Sequence, residues 1–144
     1  MENDKYFIPS IEDFRIGYEF EMDDTWGGWK KMILTEELLK NPLVSLGSGN
    51  DRSPWWWKTR VFYLTKEQIE GEGWKQLKED IFEKSSHIND HSYYLYFSGN
   101  IHIKSIIEFV YSSPLSESKS LQTLYTGEIK SINELRYISK LLNI

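Results

Sequence analysis

Ile16, Tyr18, Phe20 and Met22 alternate with Gly17, Glu19 and Glu21. This period of two predicts a half-buried strand with an acidic outer face. The turn-forming run Asp23-Asp-Thr-Trp-Gly-Gly lets Trp29 to Leu34 return as the second arm of a hairpin. The strongest strand signal is Pro54 to Leu64, which is mostly β-branched and aromatic from Trp57 onward. One face of that strand takes Trp55, Trp57, Thr59, Val61 and Tyr63. The other takes Trp56, Lys58, Arg60, Phe62 and Leu64. The first face reads as core, with Trp57 as its principal aromatic. Trp56 falls on the wetter face beside Lys58 and Arg60. One sheet face cannot bury all three indoles, so at least one is expected at the surface or in a cleft.

The remaining elements follow from caps and breakers. Tyr6, Phe7 and Ile8 form a loose anchored arm, and Ser10-Ile-Glu-Asp13 opens one helical turn. Thr35 caps a short helix that ends at Asn41-Pro42. Gly47 to Pro54 is the most loop-like stretch. Thr65, with Gln68 three residues on, caps a second short helix stopped by Gly71 and Gly73. Lys75 to Lys84 fits either a helix or a polar strand. Tyr93–Phe97 and Ile101–Ile107, around Ser98-Gly-Asn100, form a hairpin whose second arm can run to Tyr111. Leu121–Ile129 is a last strand, with a break possible at Gly127. Ser131-Ile-Asn-Glu134 is a capping box for a C-terminal helix. Its apolar face is Ile132, Leu135, Ile138, Leu141 and Leu142. The expected fold is α+β in a single domain, residues 1–144. It has an antiparallel twisted sheet of five or six strands, a C-terminal helix packed on one face, and two short helices.

Composition narrows the function classes. The chain has no cysteine, which excludes disulfides, thiolate chemistry and cysteine-based zinc sites. No apolar run reaches the length of a membrane span, and the polar start carries no signal-peptide core, so a cytoplasmic protein without a membrane is expected. The net charge is −5, and residues 1–24 hold eight acids against two bases. No cluster of Lys and Arg supports general nucleic-acid binding. The acidic hairpin is either a solvated face or a surface for a basic partner. Aromatics make up 15% of the chain, and all six tryptophans precede residue 75.

Candidate chemistry is sparse. His87 and His91 flank Asn89-Asp90, a turn-like setting that argues for a solvated loop over a metal site. The Gly47-Ser-Gly-Asn loop lacks the ending of a phosphate cradle. Glu19 and Glu21 share a strand face as an acid–base pair would, though two wet glutamates on a hairpin account for them as well. No cofactor is called for. The aromatic stretches carry the remaining hint. Trp55, Trp56, Trp26 and Trp29 can offer a stacking platform to a flat ligand, and Arg52, Lys58 and Arg60 can meet a phosphate.

Three stretches carry a resemblance. They are Ile8-Pro-Ser-Ile-Glu-Asp-Phe-Arg-Ile-Gly-Tyr-Glu-Phe-Glu, Val61-Phe-Tyr-Leu-Thr-Lys-Glu-Gln-Ile-Glu-Gly-Glu-Gly-Trp and Tyr125-Thr-Gly-Glu-Ile-Lys-Ser-Ile-Asn-Glu-Leu-Arg-Tyr-Ile-Ser-Lys-Leu-Leu. In this order the chain resembles small uncharacterised proteins encoded by phages and prophages of Bacteroidetes-type bacteria. The resemblance implies a non-enzymatic accessory protein in a bacterial host cell, of a kind that counters defence by binding a protein or a nucleotide signal. It assigns no role to any residue.

Three hypotheses follow. The first is a binder of a small nucleotide-like ligand through stacked indoles and Arg60 or Arg52. The second is a protein-interaction module whose acidic hairpin meets a basic host protein. The third is a carboxylate-based hydrolase. The oligomeric state stays open, a homo-oligomer included.

Overall fold

Tyr18, Phe20 and Met22 are buried as their alternation predicts, on and beside strand β2, Glu19–Asp24, whereas Ile16, expected with them, precedes the strand and is exposed. The computed structural model describes residues 5–24, 28–46, 51–85, 91–97, 103–111 and 119–144. The chain falls into two compact units, Met1–Tyr63 and Leu64–Ile144. Each is described by itself.

In the first unit, β2 pairs with β3, Gly28–Ile33, as the expected hairpin. The expected loose arm contains β1, Tyr6–Phe7, which pairs with β6, Thr59–Phe62. The four-stranded sheet runs β1-β6-β2-β3. Ser10 caps a 3-10 turn, Ile11–Asp13, with both halves of the capping box formed. Thr35 caps helix α1, Glu36–Lys40, by accepting from the Leu38 amide at 3.2 Å. Strand β4, Leu43–Ser45, pairs with β5, Arg52–Pro54, so part of the expected loop is a ladder. The core joins Tyr18, Phe20, Met22, Leu34, Val61 and Trp55, with Phe7 and Phe14 packed against it.

The expected strand through Trp55–Trp57 is a turn. The Trp57 amide donates to the Pro54 carbonyl at 3.0 Å, the closure of a β-turn, and Lys58 has φ +41°. That left-handed residue resets the alternation, so the strand begins only at Thr59. Trp55 is the core indole, at 5% exposure, and Trp57, expected inside, is 52% exposed. The expected exposure of Trp56 holds, at 48%.

In the second unit, Thr65 and Gln68 close their capping box on α2, Lys66–Gly71. Gly73, at φ +93°, takes the chain out of it. Lys75 to Ser85 resolves as a hairpin of β7, Lys75–Lys78, and β8, Ile81–Ser85. Strands β9, His91–Phe97, β10, Ile103–Tyr111, and β11, Lys119–Glu128, complete an antiparallel sheet in the order β11-β10-β9-β8-β7. Gly127 does not interrupt β11. The irregularity is a bulge, where the register shifts between Ile106 and Ile107 and Leu124 is skipped. Helix α3, Ile132–Leu142, starts at the Ser131–Glu134 capping box and ends with Asn143 in the left-handed region. It buries Ile132, Leu135 and Ile138 with Leu95, Ile106 and Phe82 of the sheet. Leu141, expected on that face, is 66% exposed, and its neighbour Leu142 is the last-turn residue that packs against the core.

Mixed α+β architecture, antiparallel pairing and the C-terminal helix are therefore observed. The single sheet of five or six strands is replaced by sheets of four, five and two strands. Among the described residues no helix is long and apolar enough to cross a membrane.

The second core also contains Lys104, which is 3% exposed. Its ammonium donates to the Ile129 carbonyl at 2.9 Å and lies 5.0 Å from the Phe97 ring centroid. Burial lowers its pKa from the usual 10.5 to about 8, and nearby Glu134 opposes that shift.

Candidate functional site

The turn at Pro54 builds a concavity on the first unit. The Trp55 amide donates to the Pro42 carbonyl at 2.9 Å, which ties the turn to the chain leaving α1. Trp55 then packs against Phe14, at 5.0 Å between ring centroids, and Phe20, at 5.8 Å. Trp56 stands nearly perpendicular to Trp55, at 5.5 Å and 88°, an edge-to-face arrangement that fixes its plane. Between this pair and the capped 3-10 turn lies a groove of about 480 Å³. Pro9, Ile11, Phe14, Trp55, Trp56 and Thr59 line it, and none of them carries a charge. Phe14 and Thr59 come from opposite ends of the unit's sequence. The groove therefore exists only when the arm and β6 are both in place.

Of the residues expected to bind a ligand, Trp55 and Trp56 alone among the described residues line this groove. Arg60 follows Thr59 on β6 and so points to the opposite face of the sheet. There its Nε donates to Glu21 Oε1 at 2.7 Å, and its guanidinium carbon lies 3.6 Å from the Tyr6 ring centroid and 4.0 Å from that of Trp29. Lys58 is exposed and reaches Asp23 at 4.0 Å. Arg52 is exposed on β5, opposite Ser45, and does not line the groove. Trp26 lies outside the described residues.

The acidic face also differs from expectation. Glu21 is buried beneath Arg60 rather than wet, and its register partner on β3 is Lys31. Glu21 Oε1 is already engaged by the Arg60 guanidinium, so Glu19 and Glu21 do not stand as two open carboxylates. His87 lies outside the described residues. His91 Nδ1 is 2.7 Å from Glu108 Oε1 on the neighbouring strand. Among the described residues no three His, Asp or Glu side chains gather as a metal site would require.

Sequence reasoning missed Pro9, Ile11 and Phe14 as groove walls. Their signal was the capping box at Ser10, which fixes the arm, combined with apolar residues on both sides of it. It also missed Tyr6 beside Arg60, because the arm's pairing with β6 is non-local. No family model, curated protein or solved structure matches the chain, so the geometry of these residues carries the functional reading.

Proposed function

We propose that this chain is a non-catalytic binding protein whose groove holds a flat, neutral ring. The groove's wall of Phe14, Trp55 and Trp56, without a charged lining residue, carries the proposal. Its volume of about 480 Å³ lies within the range of small-molecule sites. Trp55 is set by core packing, and Trp56 presents an indole already oriented by its edge contact, so little side-chain ordering is left for the binding step. A nucleobase or an aromatic side chain fits such a wall. A phosphate finds no cation there, because Arg60 is turned to the other face and held by Glu21. The ligand class therefore narrows from a nucleotide-like signal to its neutral ring portion. The resemblance to phage accessory proteins adds a setting, interference with a host defence component, to the same reading.

A thermal-shift and tryptophan-fluorescence titration with adenosine and adenosine 5′-monophosphate tests it. Adenosine should bind at least as well as the monophosphate. Trp56→Ala should abolish both responses and leave stability within about 1 kcal/mol. Tighter binding of the monophosphate, or full binding by Trp56→Ala, would overturn the proposal.

A further inference from the structure

The opposite face of the four-stranded sheet carries a second arrangement, which does not depend on the groove. Tyr6 comes from edge strand β1 and Trp29 from the other edge strand, β3. Their rings approach the Arg60 guanidinium at 3.6 and 4.0 Å, and its Nε donates to Glu21 Oε1 at 2.7 Å. Phe62, the cross-strand partner of Tyr6, packs on it with 4.2 Å between ring centroids and the rings tilted by 34°. The Arg60 side chain is only 19% exposed. Even so, its Nη1 and Nη2 donors have no acceptor among the described residues. Neither nitrogen is sealed in the interior, so both face outward and are open to an acceptor from outside the chain.

We infer that Arg60 is a receptor for a carboxylate presented to this sheet face. The guanidinium fork matches the two oxygens of a carboxylate, and here the fork is already held in place by two rings and a glutamate. A carboxylate is planar and can lie in the guanidinium plane. A tetrahedral phosphate must push oxygens out of that plane, toward ring faces that carry negative charge density. The surrounding charges are balanced. Glu21 offsets Arg60, Asp23 faces Lys58, and exposed Lys31 stands opposite Glu21 in the ladder, leaving Glu19 opposite Ile33. A chain terminus and an acidic side chain supply the same chemistry, and the experiment distinguishes them.

The Arg60 Nε–H and Trp29 indole N–H signals are followed by NMR while the full chain is titrated. The probes are N-acetylglycinate, which imitates a terminus, N-acetylaspartate amide, which imitates a side chain, inorganic phosphate and sodium chloride, at matched ionic strength. At least one carboxylate should give a saturable shift, phosphate at least fivefold weaker binding, and chloride none. Arg60→Lys keeps the charge and loses the fork, and should weaken the carboxylate at least tenfold. Should that variant fail to fold, Glu21→Gln keeps an acceptor for Nε and removes the offsetting charge, and should tighten binding at least threefold. Equal shifts with every anion, tighter phosphate binding, unchanged affinity in folded Arg60→Lys, or no gain in Glu21→Gln would each overturn the inference.

Discussion

Replacing Lys104 by Met removes a buried ammonium and keeps an unbranched stem of similar reach. The folded-state pKa of about 8 lies below the unfolded value of 10.5, so burial disfavours the protonated form. At pH 7 the folded chain must hold that proton, at a cost of about 3 kcal/mol. Between pH 8 and 10.5 the unfolded chain binds more protons than the folded one. Stability from this group therefore rises with pH through that window. By pH 9.5 the cost has fallen by about 2 kcal/mol. Met carries no such dependence, but it forfeits the bond to the Ile129 carbonyl, worth about 1–3 kcal/mol when the acceptor stays buried. The two proteins should thus be nearly equal at pH 7, and the parent ahead by about 2 kcal/mol at pH 9.5. Stopping there avoids Tyr93, Tyr94 and Tyr125. Burial first, and nearby acids second, raise their pKa values above 10, and they lower stability only at higher pH. Urea titrations followed through the methyl signals of Leu95 and Leu135 report this unit directly. A difference between parent and variant that stays constant from pH 7 to 9.5 would refute the reasoning.

The Trp turn gives a paired test in the first unit: Trp55→Ala should cost about 3–5 kcal/mol, whereas Trp57→Ala should stay within about 1 kcal/mol, both read from urea midpoints. On α3, Leu135→Asp puts a charge at a fully buried position and should unfold the second unit, while Leu141→Asp at an exposed position should melt close to the parent.

Local chemistry was the legible part of this chain. The Ser131–Glu134 and Thr65–Gln68 boxes each form with both hydrogen bonds in place, because a cap is decided within four residues. The alternation around Tyr18, Phe20 and Met22 likewise chose the correct buried side. Trp55–Trp57 failed for the opposite reason. Aromatic strand preference measures packing on a pleated surface, and these three residues have no partner strand to pack on. Pro54 instead accepts the turn's closing bond and Lys58 turns left-handed, so the side-chain alternation restarts. The exposure of Trp56 was read correctly and that of Trp57 was not, because the facing rule was applied across a turn. The site was half legible. The tryptophan beside a loop drew attention to the groove, but its other wall, Pro9 to Phe14, lies some forty residues away in the chain. Placing Arg60 in that groove confused nearness in sequence with nearness in space, since one step along β6 crosses the sheet.

The way the sheets end has a bearing on behaviour at high concentration. Edge strand β3 shows exposed Lys30 and Lys31, edge strand β7 shows exposed Lys75 and Lys78, and β11 carries its bulge near mid-strand. A second chain trying to extend any of these ladders meets repulsion between lysines or a broken register. At these three edges the ladders therefore oppose the addition of a further strand, the step by which chains stack into fibrils.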